Sequence, residues 1–170
     1  IEEINLQNGS FEHTIENTEE TPGLFNASRL KVDSLYLLTN LNIGLPNHVD
    51  ADIQRLSVHE KSGLNIRNVQ SHLKIHLDSL SFATPQIAIL TERSEINANN
   101  VYFNTESMRL DATVDNTAIV AADFQCFVPL LKNLTQPTNF SAHATGSLPQ
   151  IEVSQLSLFH PDLINLEASL

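Results

Sequence analysis

The groups in this sequence that could do chemistry are its 7 histidines, 20 carboxylates and one cysteine. His72 and His76 stand four apart, the spacing that chelates zinc when both lie on one face of a helix. Around them, however, His72, Lys74, His76 and Asp78 alternate with Leu73, Ile75 and Leu77. That is strand periodicity, and on a strand four residues separate side chains by about 13 Å, too far for one metal. His48, Asp50 and Asp52 form a denser cluster. On a strand the two carboxylates share a face about 7 Å apart, and no third carboxylate completes a calcium loop. Glu2-Glu3, Glu19-Glu20 and Glu92 are scattered, with no second acid placed to form an acid–base pair. Cys126 sits between Phe124 and Phe127, with no cation preceding it back to Arg109 to stabilise a thiolate. Nucleophile elbows, phosphate loops and dinucleotide fingerprints are absent, and five glycines leave little room for one. We expect no enzyme, no metal and no cofactor, and a buried, inert Cys126.

Composition points the same way. The chain has 170 residues, 41% hydrophobic, which is ample for a core. Aromatic residues make up 6% and Trp is missing, so the apolar content is mostly Leu, Ile, Val and Ala. A formal net charge of −11 repels phosphate backbones, and no basic run offsets it, so nucleic acid is not an expected partner. One cysteine excludes an intrachain disulfide framework. The sequence starts at Ile1 without a signal peptide or an apolar run of membrane-spanning length, and we read it as one segment of a larger protein.

What must position these residues is a recurring pattern: apolar, any, apolar, two polar or small residues, apolar, any, apolar. It appears as Leu30, Val32, Leu35, Leu37, then as Ala51, Ile53, Leu56, Val58. Further copies are Ile75, Leu77, Leu80, Phe82; Ile96, Ala98, Val101, Phe103; and Ile151, Val153, Leu156, Leu158. A looser copy runs Leu64, Ile66, Val69, Ser71, Leu73. At the third apolar position the first four full copies are spaced 56−35 = 21, 80−56 = 24 and 101−80 = 21 residues. Each half alternates with period two, but the extra residue between halves would throw the second half onto the opposite face of a straight strand. A bulge or corner there restores the register and bends the chain. Each copy therefore reads as two short strands, or one bent strand, with a single apolar face. Turn signals lie at Pro46-Asn47, Lys61-Ser62-Gly63, Thr84-Pro85 and Asn99-Asn100.

The pattern breaks once. Phe124, Phe127, Val128 and Leu131 have helical spacing behind Asp123, a suitable N-cap, with Pro129 as an interruption. This predicts a short helix, or two helical turns, near 123–132, covering an open end of the sheet. Residues 1–27 show only a weak alternation at Ile4 and Leu6, so strand plus loop is expected there. Strand repeats fill 28–120, the helix 121–134 and further strands 135–170. The fold class is mainly β, repeated antiparallel strands in a curled sheet with an apolar inner face.

The stretch from Leu56 to Ile66, with Lys61-Ser62-Gly63 between two strand patterns, resembles the hairpin of AsmA-like repeat proteins. Ala121 to Leu131 resembles the Asp-aromatic-Phe-x-Pro-Leu segment that follows those strands. His143 to Leu148 and Ile151 to Leu158 resemble their next Gly-containing hairpin. Over about residues 28–170 the chain is most similar to the translocation and assembly module family, TamB, in its Bacteroidetes-type form. The resemblance implies a periplasmic protein anchored in the inner membrane outside this segment. It also implies a taco-like groove, phospholipid transport between membranes and outer-membrane protein assembly. Its partners would be acyl chains or unfolded barrel strands, adjacent repeats, and an insertase-type outer-membrane barrel bound through other parts of the protein.

The residue pattern supports a groove independently, because an inner face of Leu, Ile and Val offers acyl chains a hydrocarbon-like medium. Leu35, Leu37, Leu56, Val58, Leu73, Ile75, Leu77, Leu80, Phe82, Val101 and Phe103 hold the inward phase and are expected to share one apolar face. The alternative is an architectural or adhesive, β-sandwich-like spacer whose apolar face is closed by the protein itself.

Overall fold

Period-two alternation folds into strands wherever one face can be shielded and the other wetted. The computed structural model describes residues 2–16, 18, 21–44, 47–162 and 164–168. Its strands are β1 Glu2–Thr14, β2 Arg29–Gly44, β3 His48–Glu60, β4 Asn65–His76 and β5 Ser81–Leu90. They continue as β6 Glu95–Asn104, β7 Arg109–Val120, β8 Pro137–Ser147, β9 Gln150–His160 and β10 Ile164–Ala168. All 10 pair in sequence order, each antiparallel to the next, in one open sheet. The β-sandwich-like alternative is not the architecture that the described residues adopt. Pro46 of the expected Pro46-Asn47 turn, and Glu19-Glu20, lie outside those residues.

The expected bulges are present. Between Ile53 and Leu56 of β3 an extra residue shifts the register against Ser71 and Val69 of β4. The same happens in β2 between Val32 and Leu35, and in β4 between Ile66 and Val69. In β1, β6, β7 and β9 the extra residue is marked by positive φ at Asn8 (55°), Asn100 (51°), Asn116 (48°) and Gln155 (51°). Asparagine tolerates this left-handed conformation better than other residues with a Cβ. Bulges bend strands and raise their twist, so a sheet bulged in strand after strand curls.

Two of the turn signals need correction. Thr84-Pro85 and Asn99-Asn100 are not turns but facing mid-strand irregularities of β5 and β6, where Thr84 pairs with Val101 and Gln86 with Asn99. Proline without an N–H and asparagine at positive φ suit a bulge as well as a turn, so local chemistry does not separate the two. The copy Ile75, Leu77, Leu80, Phe82 takes the two-strand form: it straddles the β4–β5 hairpin, with Leu77 and Leu80 in the turn. The helical segment takes the form of two turns, both 3-10, Ala121–Phe124 and Pro129–Asn133. Val128 precedes Pro129, whose ring disfavours a helical predecessor, and it is extended at φ −140°, ψ 100°. Asp123 does not cap a helix; its side chain is used elsewhere.

Candidate apolar groove

Residues directly opposite one another in an antiparallel ladder share a face. One cross-sheet row therefore runs Leu37, Leu56, Val69, Ile89, Ile96. A second runs Ile43, Val49, Ile75, Phe82, Phe103, Leu110 on the same face. Between them lies a row in which small residues alternate with larger ones, Thr39, Ile53, Ser71, Ile87, Ala98, Val114 and Ala142. Leu35 pairs with Val58, Leu73 with Ala51 and Val101 with Thr84, which places them on this face too. The register thus brings Leu35, Leu37, Leu56, Val58, Leu73, Ile75, Phe82, Val101 and Phe103 together. Leu77 and Leu80 keep the same phase but stand beyond the strand ends. Ile87, Ile89, Leu110 and Val114 belong to the face without having been singled out, although Gln86 to Leu90 already alternates in sequence.

Burial shows which way the face curves. Thr39, Ala51, Ser71, Thr84 and Ala142, all small and mid-strand, are buried, whereas most of the larger residues on either side are half-buried, Val69 being buried and Ile43 exposed. Each strand packs mainly on its sequence neighbours, so among the described residues no second layer of strands shields the small residues. The larger side chains rising beside them do. The face is a trough with a floor of small residues and apolar walls. Phe82 and Phe103 meet in one wall at 5.5 Å between ring centroids.

Hydroxyls on this floor are used internally. Thr39 Oγ1 donates to Asp52 O at 3.1 Å, Thr84 Oγ1 to Gln86 O at 2.7 Å and Thr117 Oγ1 to Asn97 O at 3.2 Å. Ser71 Oγ lies 3.0 Å from Thr84 Oγ1. Irregular pairing at the bulges frees carbonyls, and these side chains satisfy them, leaving the floor few free polar groups.

The two lips differ. One consists of the β3–β4 and β5–β6 turns, flanked by the longer β1–β2 and β7–β8 connections. Phe25 N donates to Cys126 O at 2.8 Å, and the Phe25 and Phe127 rings lie 4.9 Å apart, so these connections meet across the intervening strands. Asp123 ties this bridge to the β5–β6 turn: Arg93 N and Nε donate to it at 2.8 Å each, Ser94 N and Oγ at 2.9 Å each, and Thr91 Oγ1 also donates. Burial pushes the carboxyl's pKa up, but the bonds from Thr91, Arg93 and Ser94 outweigh it and hold the group below its ordinary value. Cys126 is buried, and burial raises its thiol pKa against a hydrogen bond from Ser62. The other lip consists of hairpin ends carrying Ile43, Leu77, Leu80, Met108 and Leu148, all exposed.

The opposite face of the sheet is polar. His72 and His76 are exposed on β4; His72 Nδ1 lies 3.9 Å from Asp52 Oδ1, and the His76 ring centroid 6.5 Å from that of His48. Asp50 pairs with Lys74. Among the described residues no group of three or more His, Cys, Asp or Glu side chains converges as metal ligands. Nor is any helix among them long and apolar enough to cross a membrane. Compared with known proteins, the chain matches no family model, no curated relative and no solved structure.

Proposed function

We propose that this chain is a non-enzymatic groove module that carries phospholipid acyl chains, or shields unfolded barrel strands, in a periplasmic protein of the AsmA-like superfamily, most like TamB. The single observation that carries the reading is the trough: an apolar face continuous across the ladders, half-exposed on its walls and quenched of free polar groups on its floor. Each methylene that leaves water for such a face gains about 0.8 kcal/mol, so a two-chain lipid binds firmly. The floor hydroxyls are engaged with the protein's own groups, so few are free to hold it at one position and it can slide. The resemblance of the hairpins to AsmA-like repeats supports the same reading and supplies the compartment.

Both sheet edges support a place within a longer sheet. The apolar face runs out to Ile4, Leu6 and Phe11 on β1 and to Ile164 and Leu166 on β10 without tapering. Free edges of this kind join further strands, which fits adjacent repeats of the parent protein. An insertase-type barrel would be contacted through parts outside this segment. The test is native mass spectrometry of the purified chain after expression in a bacterial envelope. Co-purified phospholipid, displaced by excess detergent, is the expected result. A ligand-free protein that also takes up no lipid on incubation would leave the spacer reading in possession.

A further inference from the structure

We propose that the lip made by the β2–β3, β4–β5, β6–β7 and β8–β9 hairpin ends is where phospholipid chains enter and leave the trough; this rests on the groove reading above. Ile43, Leu77, Leu80, Met108 and Leu148 line that lip in phase with the apolar face, and their exposure runs from 39% for Met108 to 70% for Ile43. Two of them hold backbone positions that folding alone assigns to glycine or asparagine: Leu80 has φ 44° and Met108 φ 52°. Each ends a four-residue turn, 77–80 and 105–108. A large apolar side chain there strains the backbone and stays in water, so neither stability nor solubility accounts for it.

The opposite lip meets the same geometry differently. Its β3–β4 turn places Gly63 at φ 101°, and its β5–β6 turn is polar and bound to Asp123. It is also bridged by Phe25 and Phe127, whereas the apolar lip carries no such bridge among the described residues. Backbone bonds stiffen the apolar lip into one ledge: Leu77 N to Asn47 O at 2.8 Å, Thr105 N to Leu80 O at 3.0 Å and Leu148 N to Met108 O at 3.1 Å. A chain crossing it would meet hydrocarbon all the way from rim to wall. At the turns Asp78 and Glu106 outnumber Arg109, and with the net charge of −11 they set this lip against anionic bilayers. Its occupant is therefore the acyl region of a zwitterionic phospholipid.

The decisive variant is the double substitution Leu80→Gly and Met108→Gly. Glycine relieves the positive φ, so the melting temperature should hold or rise. Uptake of fluorescent phosphatidylcholine from phosphatidylcholine vesicles should slow by about tenfold, the effect of removing roughly one buried apolar side chain's worth of contact. Leu130→Ser, at a side chain 86% exposed on the bridged lip, should keep the wild-type rate. If added glycine flexibility lowers the melting temperature, Leu80→Asn with Met108→Asn is the polar replacement suited to the same φ, and it should slow uptake equally. Unchanged uptake by a folded double variant, equal slowing by Leu130→Ser, or faster uptake from phosphatidylglycerol vesicles would each overturn the lip. Absence of uptake by the wild type from either vesicle removes the groove reading itself, and the lip with it.

Discussion

Asp123 holds the β7–β8 connection to the β5–β6 turn through a single carboxylate whose side chain is 2% exposed. Buried charge is stable only when hydrogen bonds replace its water, and here Thr91, Arg93 and Ser94 do so. Because its folded pKa is lowered, its contribution is complete above the ordinary value of 3.8 and is lost as pH falls through the lower, folded value. We expect acid unfolding monitored by circular dichroism to show a limb below that pH, and Asp123→Asn to flatten it. Asp123→Ala leaves the donors unpaired and should cost about 2–4 kcal/mol in urea unfolding. Cys126 sits beside this latch with its thiol pKa raised by burial. A thiol reagent should label it only as the protein unfolds; labelling of the native chain at the rate of a free peptide thiol would contradict its inertness.

Among the elements, the bulges decide the geometry. Without a bulge in β3 to absorb the extra residue, Ala51 and Leu56 would point to opposite faces and the apolar row would be cut in two. Asn116 tests this cleanly, since it is exposed and its φ is 48°. Asn116→Val imposes a β-branched side chain on a left-handed position and should cost about 1–2 kcal/mol, whereas Asn116→Gly should be neutral or slightly stabilising. Equal destabilisation by both substitutions, measured from urea midpoints, would mean that the side chain rather than the backbone matters there. Gly146 in β8 is a related case: at φ 142° an added Cβ would stand 2.4 Å from Gln150 O, so the β8–β9 hairpin requires glycine.

For the whole molecule, the question is whether a charge on the apolar face meets a sealed core or an open trough. Leu56 is half-buried in a cross-sheet row between Leu37 and Val69. In a sealed core Leu56→Arg would unfold the protein, but from a trough wall the long side chain can reach water. We expect the variant to stay folded with a loss of about 1–2 kcal/mol. Photocrosslinking to lipid from probes at Leu73 and Phe82 should fall at the same time. Unfolding of the variant together with silent probes in the wild type would favour a packed spacer.

Alternation is local, so the strands, their single apolar face and the bulge between Ile53 and Leu56 are legible from residue order alone. The same holds for the polar setting of His72 and His76, whose spacing on a strand keeps them apart. Other features needed the folded chain. Whether Asn100 turns the chain back or merely bulges it depends on which strand lies alongside, because its φ serves both. Leu77 and Leu80 read as mid-face residues, yet strand pairing places them on a lip. Asp123 finds Thr91 and Ser94 about 30 positions away, a distance over which sequence carries no periodic signal. The openness of the sheet is likewise a tertiary outcome. Period two dictates that an apolar face exists, but what covers it depends on contacts between distant parts of the chain.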